Sequence, residues 1–202
     1  GKGNKPSIIC IQETWLIKVR NFKIPGYNCV RKDRTEQRGG VAIFVLFGIG
    51  YREIAVQSEL EVVAVEILDS AHPFTVGCLY NSNGLGDSNA YLNVIIQLPN
   101  RLLLCGDFNC QNPLWGSDTL SQGGRAIEDF LDESGLVLLN NGEATRIGYK
   151  GCSSTPDLTL ASPSLARKSN WFVLNSTWGS DHLPIITQLL MPRKQIRPIE
   201  ST

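Results

Sequence analysis

A chain of 202 residues has room for one domain with a real core, and its 19 basic and 19 acidic residues give a formal net charge of zero. That balance counts against a general polycationic coat for nucleic acid, and no apolar run approaches the roughly 20 residues of a membrane span. The hydrophobic share of 42% is ordinary for a globular protein.

Residues 1–6 are polar and end at Pro6, and the chain opens at Gly1 rather than Met, as an excised domain or fragment would. Ser7 to Gln12 reads as a buried strand closed by Glu13, and Tyr27 to Val30 as a short strand after the Pro25-Gly26 loop. A charged turn follows from Arg31 to Arg38. Strands are expected over Gly40 to Phe47, Tyr51 to Gln57, Glu61 to Leu68 and Pro73 to Tyr80. Asn89 to Leu98 reads as a helix behind an Asp87/Ser88 cap. Gly123 to Ser134 is the clearest helix, with Ala126, Ile127, Phe130 and Leu131 at helical spacing and Gly135 to stop it. Leu136 to Leu139 is a strand, 140–156 a polar loop, Leu158 to Ala161 a strand and Ser162 to Arg167 a turn. Trp171 to Leu174 and Leu183 to Leu190 are the last strands, giving a domain over 1–190. From Met191 the composition turns to Pro, Lys and Arg, a tail or linker over 191–202. Many strands and few helices point to packed sheets with helices outside.

The six cysteines follow no CxxC spacing, and Cys10, Cys78 and Cys105 sit in apolar runs as small core residues, so reduced thiols of an intracellular protein are expected. Lys18, Arg20, Lys23, Arg31, Lys32, Arg34 and Arg38 concentrate positive charge near the start. His72, beside Pro73 in a polar turn, reads as a plain surface residue.

The most informative run is Leu102-Leu103-Leu104-Cys105-Gly106-Asp107-Phe108-Asn109. A strand buried on both faces ends in a carboxylate, and a buried carboxylate needs a partner or a metal. If the backbone stays extended, Asn109 lies on the same side as Asp107. Two other apolar strands deliver chemistry in the same way. Cys10-Ile11-Gln12-Glu13-Thr14-Trp15 ends in an acid, and Ser180-Asp181-His182-Leu183-Pro184 carries one of two histidines in the chain.

These stretches, in this order, resemble the endonuclease/exonuclease/phosphatase superfamily. The runs Arg38 to Val45, Gly106-Asp107-Phe108-Asn109 on to Ser117, and Ser153 to Ala161 are most similar to the apurinic/apyrimidinic-like endonuclease domains of non-LTR (LINE-like) retrotransposons. The resemblance implies an α/β fold, a four-layered α/β sandwich of two packed mixed sheets flanked by helices. This chain begins after the family's first strand and helix. It implies Mg2+, or Mn2+ in its place, held by Glu13 with Asp181 near it. Asp107 would activate water or assist the leaving group, and Asn109 would hold the scissile phosphate. His182 would bond a phosphate oxygen or serve as acid/base, oriented by Asp157, and Tyr80 would contact phosphate. Thr145 and Ser180 match weaker polar positions for substrate. Packing is expected for Trp15, Trp171 and Trp178, while at Trp115 packing and base stacking stand level.

The activity implied is a magnesium-dependent endonuclease that nicks double-stranded DNA, leaving a 3′-hydroxyl for target-primed reverse transcription by a C-terminal reverse transcriptase. Such an enzyme acts on DNA in the nucleus, with no membrane partner. Two alternatives share the sequence signs: a phosphatase of phosphoinositides or other phosphoesters on the same fold, and a non-catalytic remnant that binds DNA or a partner.

Overall fold

In the computed structural model, residues 5–18, 22–34, 38–68, 72–84, 86–148 and 151–190 are described. In chain order the elements are β1 (Ile8–Gln12), β2 (Tyr27–Lys32), β3 (Val41–Leu46), β4 (Tyr51–Ile54), β5 (Glu61–Ile67), β6 (Phe74–Tyr80), α1 (Ser88–Ile95), β7 (Leu102–Asp107), α2 (Gln122–Ser134), β8 (Val137–Leu138), β9 (Arg146–Ile147), β10 (Ser153–Ser154), β11 (Asp157–Ala161), α3 (Pro163–Ala166), β12 (Ser169–Val173) and β13 (Ile185–Leu189). The expected tail over 191–202 lies outside the described residues.

The apolar runs pair into a six-stranded sheet in the order β4-β5-β6-β7-β11-β8. β6 and β7 are parallel and the remaining pairs antiparallel, so the sheet is mixed. All seven residues of β6 and all five of β11 are buried. Strands covered on both faces tend to read as continuous apolar runs, as β6 nearly does, while β11 (Asp157-Leu158-Thr159-Leu160-Ala161) alternates and buries its polar residues too. A second sheet, β1-β3-β2, packs one face of the first through Val41, Ile43 and Val45 against Val63, Val65, Val76 and Cys78. Its outer face closes with Tyr27, Ala42 and Phe44 under Ile9, Ile11 and Ile24. The β12-β13 hairpin joins the same side, where Trp171 donates from Nε1 to Thr159 Oγ1.

α1 and α2 cover the opposite face, burying Tyr91, Val94, Ile127 and Phe130 against Leu79, Leu104 and Leu158. Both helices start where local chemistry dictates: the Asp87 and Ser121 side chains accept from Asn89 N–H and Gly124 N–H. α2 ends at Gly135 in the left-handed conformation. Among the described residues, α1 and α2 lie on this side, and the turn expected after Ala161 is the short helix α3, which sends Leu165 into the core on the other. The polar loop 140–156 holds the small β9-β10 ladder.

One close approach fixes the centre. A Cβ at Gly106 would lie 1.8 Å from the Leu79 carbonyl oxygen, so only glycine lets β7 lie this close to β6. All six cysteines are free thiols; Cys78 and Cys110 are buried and Cys10 and Cys105 half-buried, as core thiols should be, while Cys29 and Cys152 are exposed.

Candidate active site

The strand register assembles the site. Tyr80 is the parallel partner of Asp107, and Asp157 is its antiparallel partner. Three strands that meet only in the folded sheet therefore put a phenol and two carboxylates in one row. Adjacent strands lie about 4.8 Å apart, so the row spans roughly 10 Å.

His182 closes one end. Its Nδ1 lies 2.8 Å from Asp157 Oδ2, and its Nε2 points at Asp107 Oδ2 from 4.0 Å. A carboxylate only accepts, so Nδ1 carries the proton donated to Asp157. Asp157 is itself held by Thr145, whose hydroxyl donates to Oδ2 at 2.7 Å and accepts the Asp157 N–H at 3.2 Å. Asn140 adds an amide donor to the Asp157 carbonyl.

Glu13 closes the other end. Tyr80 donates its hydroxyl to Glu13 Oε1 at 2.8 Å, and Trp15 Nε1 donates to Oε2 at 3.2 Å. Glu13 itself adopts φ +49°, a strained conformation of the kind functional sites retain.

Asn109 reaches Asp107 by a route other than the extended backbone expected. Its φ is +50°, which turns its backbone N–H onto Asp107 Oδ1 at 2.9 Å. The Nδ2 group donates to the Asn81 carbonyl at 3.0 Å and to Asp107 Oδ2 at 3.3 Å. Asn109 here fixes Asp107.

Burial pushes the Asp107 carboxyl up to about 7, with the charge of Asp157 adding to it and the Asn109 N–H opposing. Burial pulls the His182 imidazole down, but its bond to Asp157 and the charges of Asp157, Asp107 and Asp181 outweigh that and leave it raised. Burial, reinforced by Glu13, holds the Tyr80 phenol above its usual range.

Asp107, Asp157 and His182 each place one potential ligand atom within 4.8 Å of the others. Glu13 is near enough for its charge to raise Asp107. Carboxylate oxygens beside a strained, solvent-facing glutamate suit a hard divalent cation that keeps much of its water. The donor set fits a divalent metal ion, with Glu13 and Asp107 as candidate oxygens.

Three expectations need correction. Asp181 does not join this cluster: Arg146 Nε and Nη2 donate to its Oδ2 at 2.8 and 2.7 Å, which holds its carboxyl below the usual range. Thr145 is fully buried against Asp157 and positions that residue rather than a substrate. Trp115 is fully buried, its Nε1 donating to the Cys110 carbonyl, and packs with Phe108 and Phe130 in the helix-side core. Ser180 stays at the site rim, where its hydroxyl accepts the His182 N–H at 3.0 Å.

Two members of the basic stretch are internally compensated: Arg31 pairs with Asp33 and Arg34 with buried Glu61. Arg20 lies outside the described residues, and His72 is exposed, as expected. Arg146 was missed by sequence reasoning. It bridges His182 through the backbone, Ile147 N–H donates to the Asp181 carbonyl, and Leu183 N–H donates to that of Thr145. A single arginine in a polar loop carries no sequence signal of this kind.

Known proteins share this fold to different degrees. The endonuclease domain of TRAS1, a telomere-specific non-LTR retrotransposon, superposes with a TM-score of 0.77 at 22% identity, over 91% of this chain and 86% of that one. The Xenopus laevis APE2 catalytic domain gives 0.67 at 16% identity, over 93% and 84%. These likenesses establish the fold. In sequence, the probable RNA-directed DNA polymerase from transposon BS of Drosophila melanogaster is 24% identical over 203 residues, 96% of this chain and 22% of that protein. The corresponding polymerase from the Drosophila melanogaster transposon X-element is 24% identical over 158 residues, 75% of this chain and 17% of that protein. The chain therefore spans about a fifth of the length of these curated relatives. The profile of the family described as endonuclease-reverse transcriptase matches residues 74–186, more than half of the 202 and enclosing Tyr80, Asp107, Asp157 and His182. The chain belongs to the endonuclease-reverse transcriptase family.

Proposed function

We propose that this chain is the metal-dependent, DNA-nicking endonuclease of a non-LTR retrotransposon, cutting one strand to leave a 3′-hydroxyl that primes reverse transcription. The observation that carries this reading is the Tyr80–Asp107–Asp157 row, closed by His182 at one end and Glu13 at the other. It combines a base, an oriented imidazole and a carboxylate that a cation can use, the three needs of phosphodiester hydrolysis.

Asp107, steered by Asn109, takes the proton of the attacking water or protonates the leaving oxygen. His182, held by Asp157 through Nδ1, presents Nε2 to a phosphoryl oxygen. Magnesium, when bound by Glu13 and Asp107, supplies neutralisation of charge on the transferring phosphoryl group. Tyr80 keeps the Glu13 carboxylate in place. A reverse transcriptase following residues 191–202 in the full-length protein, and action on chromosomal DNA in the nucleus, complete the proposal.

The test is conversion of supercoiled plasmid to the nicked circle with Mg2+, beside EDTA and His182→Ala controls. Nicking that both controls abolish, with ends that a polymerase extends, supports the assignment. Folded protein that leaves the plasmid supercoiled overturns it.

A further inference from the structure

Two tryptophans occupy positions that disfavour tryptophan. Trp178 sits in a turn closed by Ser180 N–H donating to the Thr177 carbonyl at 3.0 Å, with φ +49° at Trp178 and +92° at Gly179. Positive φ at both central residues marks a type I′ turn, which Gly, Asn and Asp dominate because a Cβ is crowded there. The indole gains little from packing in return, being 77% exposed. Trp15 repeats the pattern, with φ +50° and 55% exposure. Its backbone N–H is fixed on the Gly39 carbonyl and its indole N–H on Glu13, which leaves the ring face open. Backbone sterics and the hydrophobic effect both oppose these placements, and strain kept against both is a mark of use. The other two tryptophans behave differently: Trp115 is fully buried, and Trp171 is half-buried against Thr159.

Their location says what the use is. Trp15 lies two residues past Glu13, at the Tyr80 end of the row, and Trp178 four residues before His182, at the Asp157 end. We propose that Trp15 and Trp178 are stacking surfaces for nucleobases on either side of the scissile phosphate, and that they take bases already unstacked from the duplex. This rests on the DNA-nicking reading above. An indole covers the π-face of any base, so the contact tolerates sequence while selecting conformation. A base inside an intact duplex has both faces occupied. The pair therefore favours single-stranded or readily opened DNA, such as pyrimidine–purine steps, which unstack easily.

Intrinsic tryptophan fluorescence, titrated in EDTA with a single-stranded oligonucleotide and with the intact duplex of the same sequence, tests this without any cutting. The single strand should quench the parent strongly and bind more tightly than the duplex. Trp15→Ala and Trp178→Asn should each lose part of the quench and bind roughly tenfold more weakly, with Trp171→Phe behaving as the parent. Asn suits the turn, so Trp178→Asn should also melt at a higher temperature than the parent, separating lost contact from lost folding. Variants that bind as the parent does, or a duplex bound as tightly as the single strand, overturn the proposal. A parent that is quenched yet never nicks plasmid sinks the nuclease reading and leaves the stacking surface standing. A parent that nicks while both variants bind normally sinks the stacking surface alone.

Discussion

Asp157 grips His182 by Nδ1 at 2.8 Å, and that one bond decides which imidazole nitrogen faces Asp107. Replacing Asp157 with Asn removes the charge and the forced tautomer while keeping the shape. We expect nicking to fall by roughly 10²–10⁴-fold, the usual worth of a positioned acid–base group. The His182 pKa, followed by NMR, should drop in the same variant, since the bond to Asp157 and its charge hold it up. An unchanged His182 titration would show that the pair does not govern the imidazole.

Thr145 is tested by stability. Thr145→Val deletes a hydroxyl that both donates to and accepts from buried Asp157. The loss should be about 1–3 kcal/mol by urea unfolding, the cost of an orphaned buried polar group, and Thr145→Ser should recover most of it. Equal stability in Val and Ser variants would contradict the role assigned.

The pair of Arg146 and Asp181 should behave in the opposite way. Both side chains are substantially exposed, so the ion pair is worth at most about 1 kcal/mol to folding. It nevertheless holds the segment that presents His182, and small displacements of catalytic groups are costly. Arg146→Ala should melt within a degree or two of the parent while nicking roughly tenfold more slowly. A variant that loses stability and keeps its activity would refute this division.

The metal-free protein should weaken as pH rises. Asp107 has a folded pKa of about 7 against roughly 3.9 in the unfolded chain, so folding favours its protonated form. Its stabilising contribution is complete below about pH 4 and is lost as pH climbs through 7. His182, also raised, contributes below its unfolded value near 6.5 and loses that contribution above it, in the same direction. Melting temperature in EDTA should fall from pH 5 to pH 8. Asp107→Asn should remove most of the slope, on the order of 3 kcal/mol. Parallel curves for parent and variant would mean that Asp107 titrates normally.

Gly106→Ala should be among the most damaging single changes. The new methyl would strike the Leu79 carbonyl, a backbone atom that cannot step aside. A loss of about 3 kcal/mol or more is expected, read by circular dichroism and soluble yield.

Much of this was legible in one dimension because it depends on local chemistry. Leu102 to Leu104 and the runs around β3, β5 and β6 declared buried strands, and Gly135 declared the end of α2. Glu13, Asp107 and His182 stood out beside apolar segments, and the family resemblance added Asp157. What stayed hidden depends on pairing. Nothing in the sequence says that Asp157 falls opposite Asp107, that Thr145 is sealed beneath it, or that Arg146 takes Asp181 away from the acid cluster. The tryptophans show the same limit: hydrophobicity is equal in all four, and only the folded surface buries Trp115 while leaving Trp178 in solvent.

The row across β6, β7 and β11 draws Tyr80, Asp107 and Asp157 each from a different strand, while Glu13, Asn109 and His182 come from segments flanking the strands. Loop length elsewhere is then decoupled from the register of those three. Segments between these strands can lengthen, shorten or be exchanged between relatives while the acids keep their register. On the nuclease reading proposed above, a change of DNA target would come from these loops, with the Tyr80–Asp107–Asp157 row unaltered.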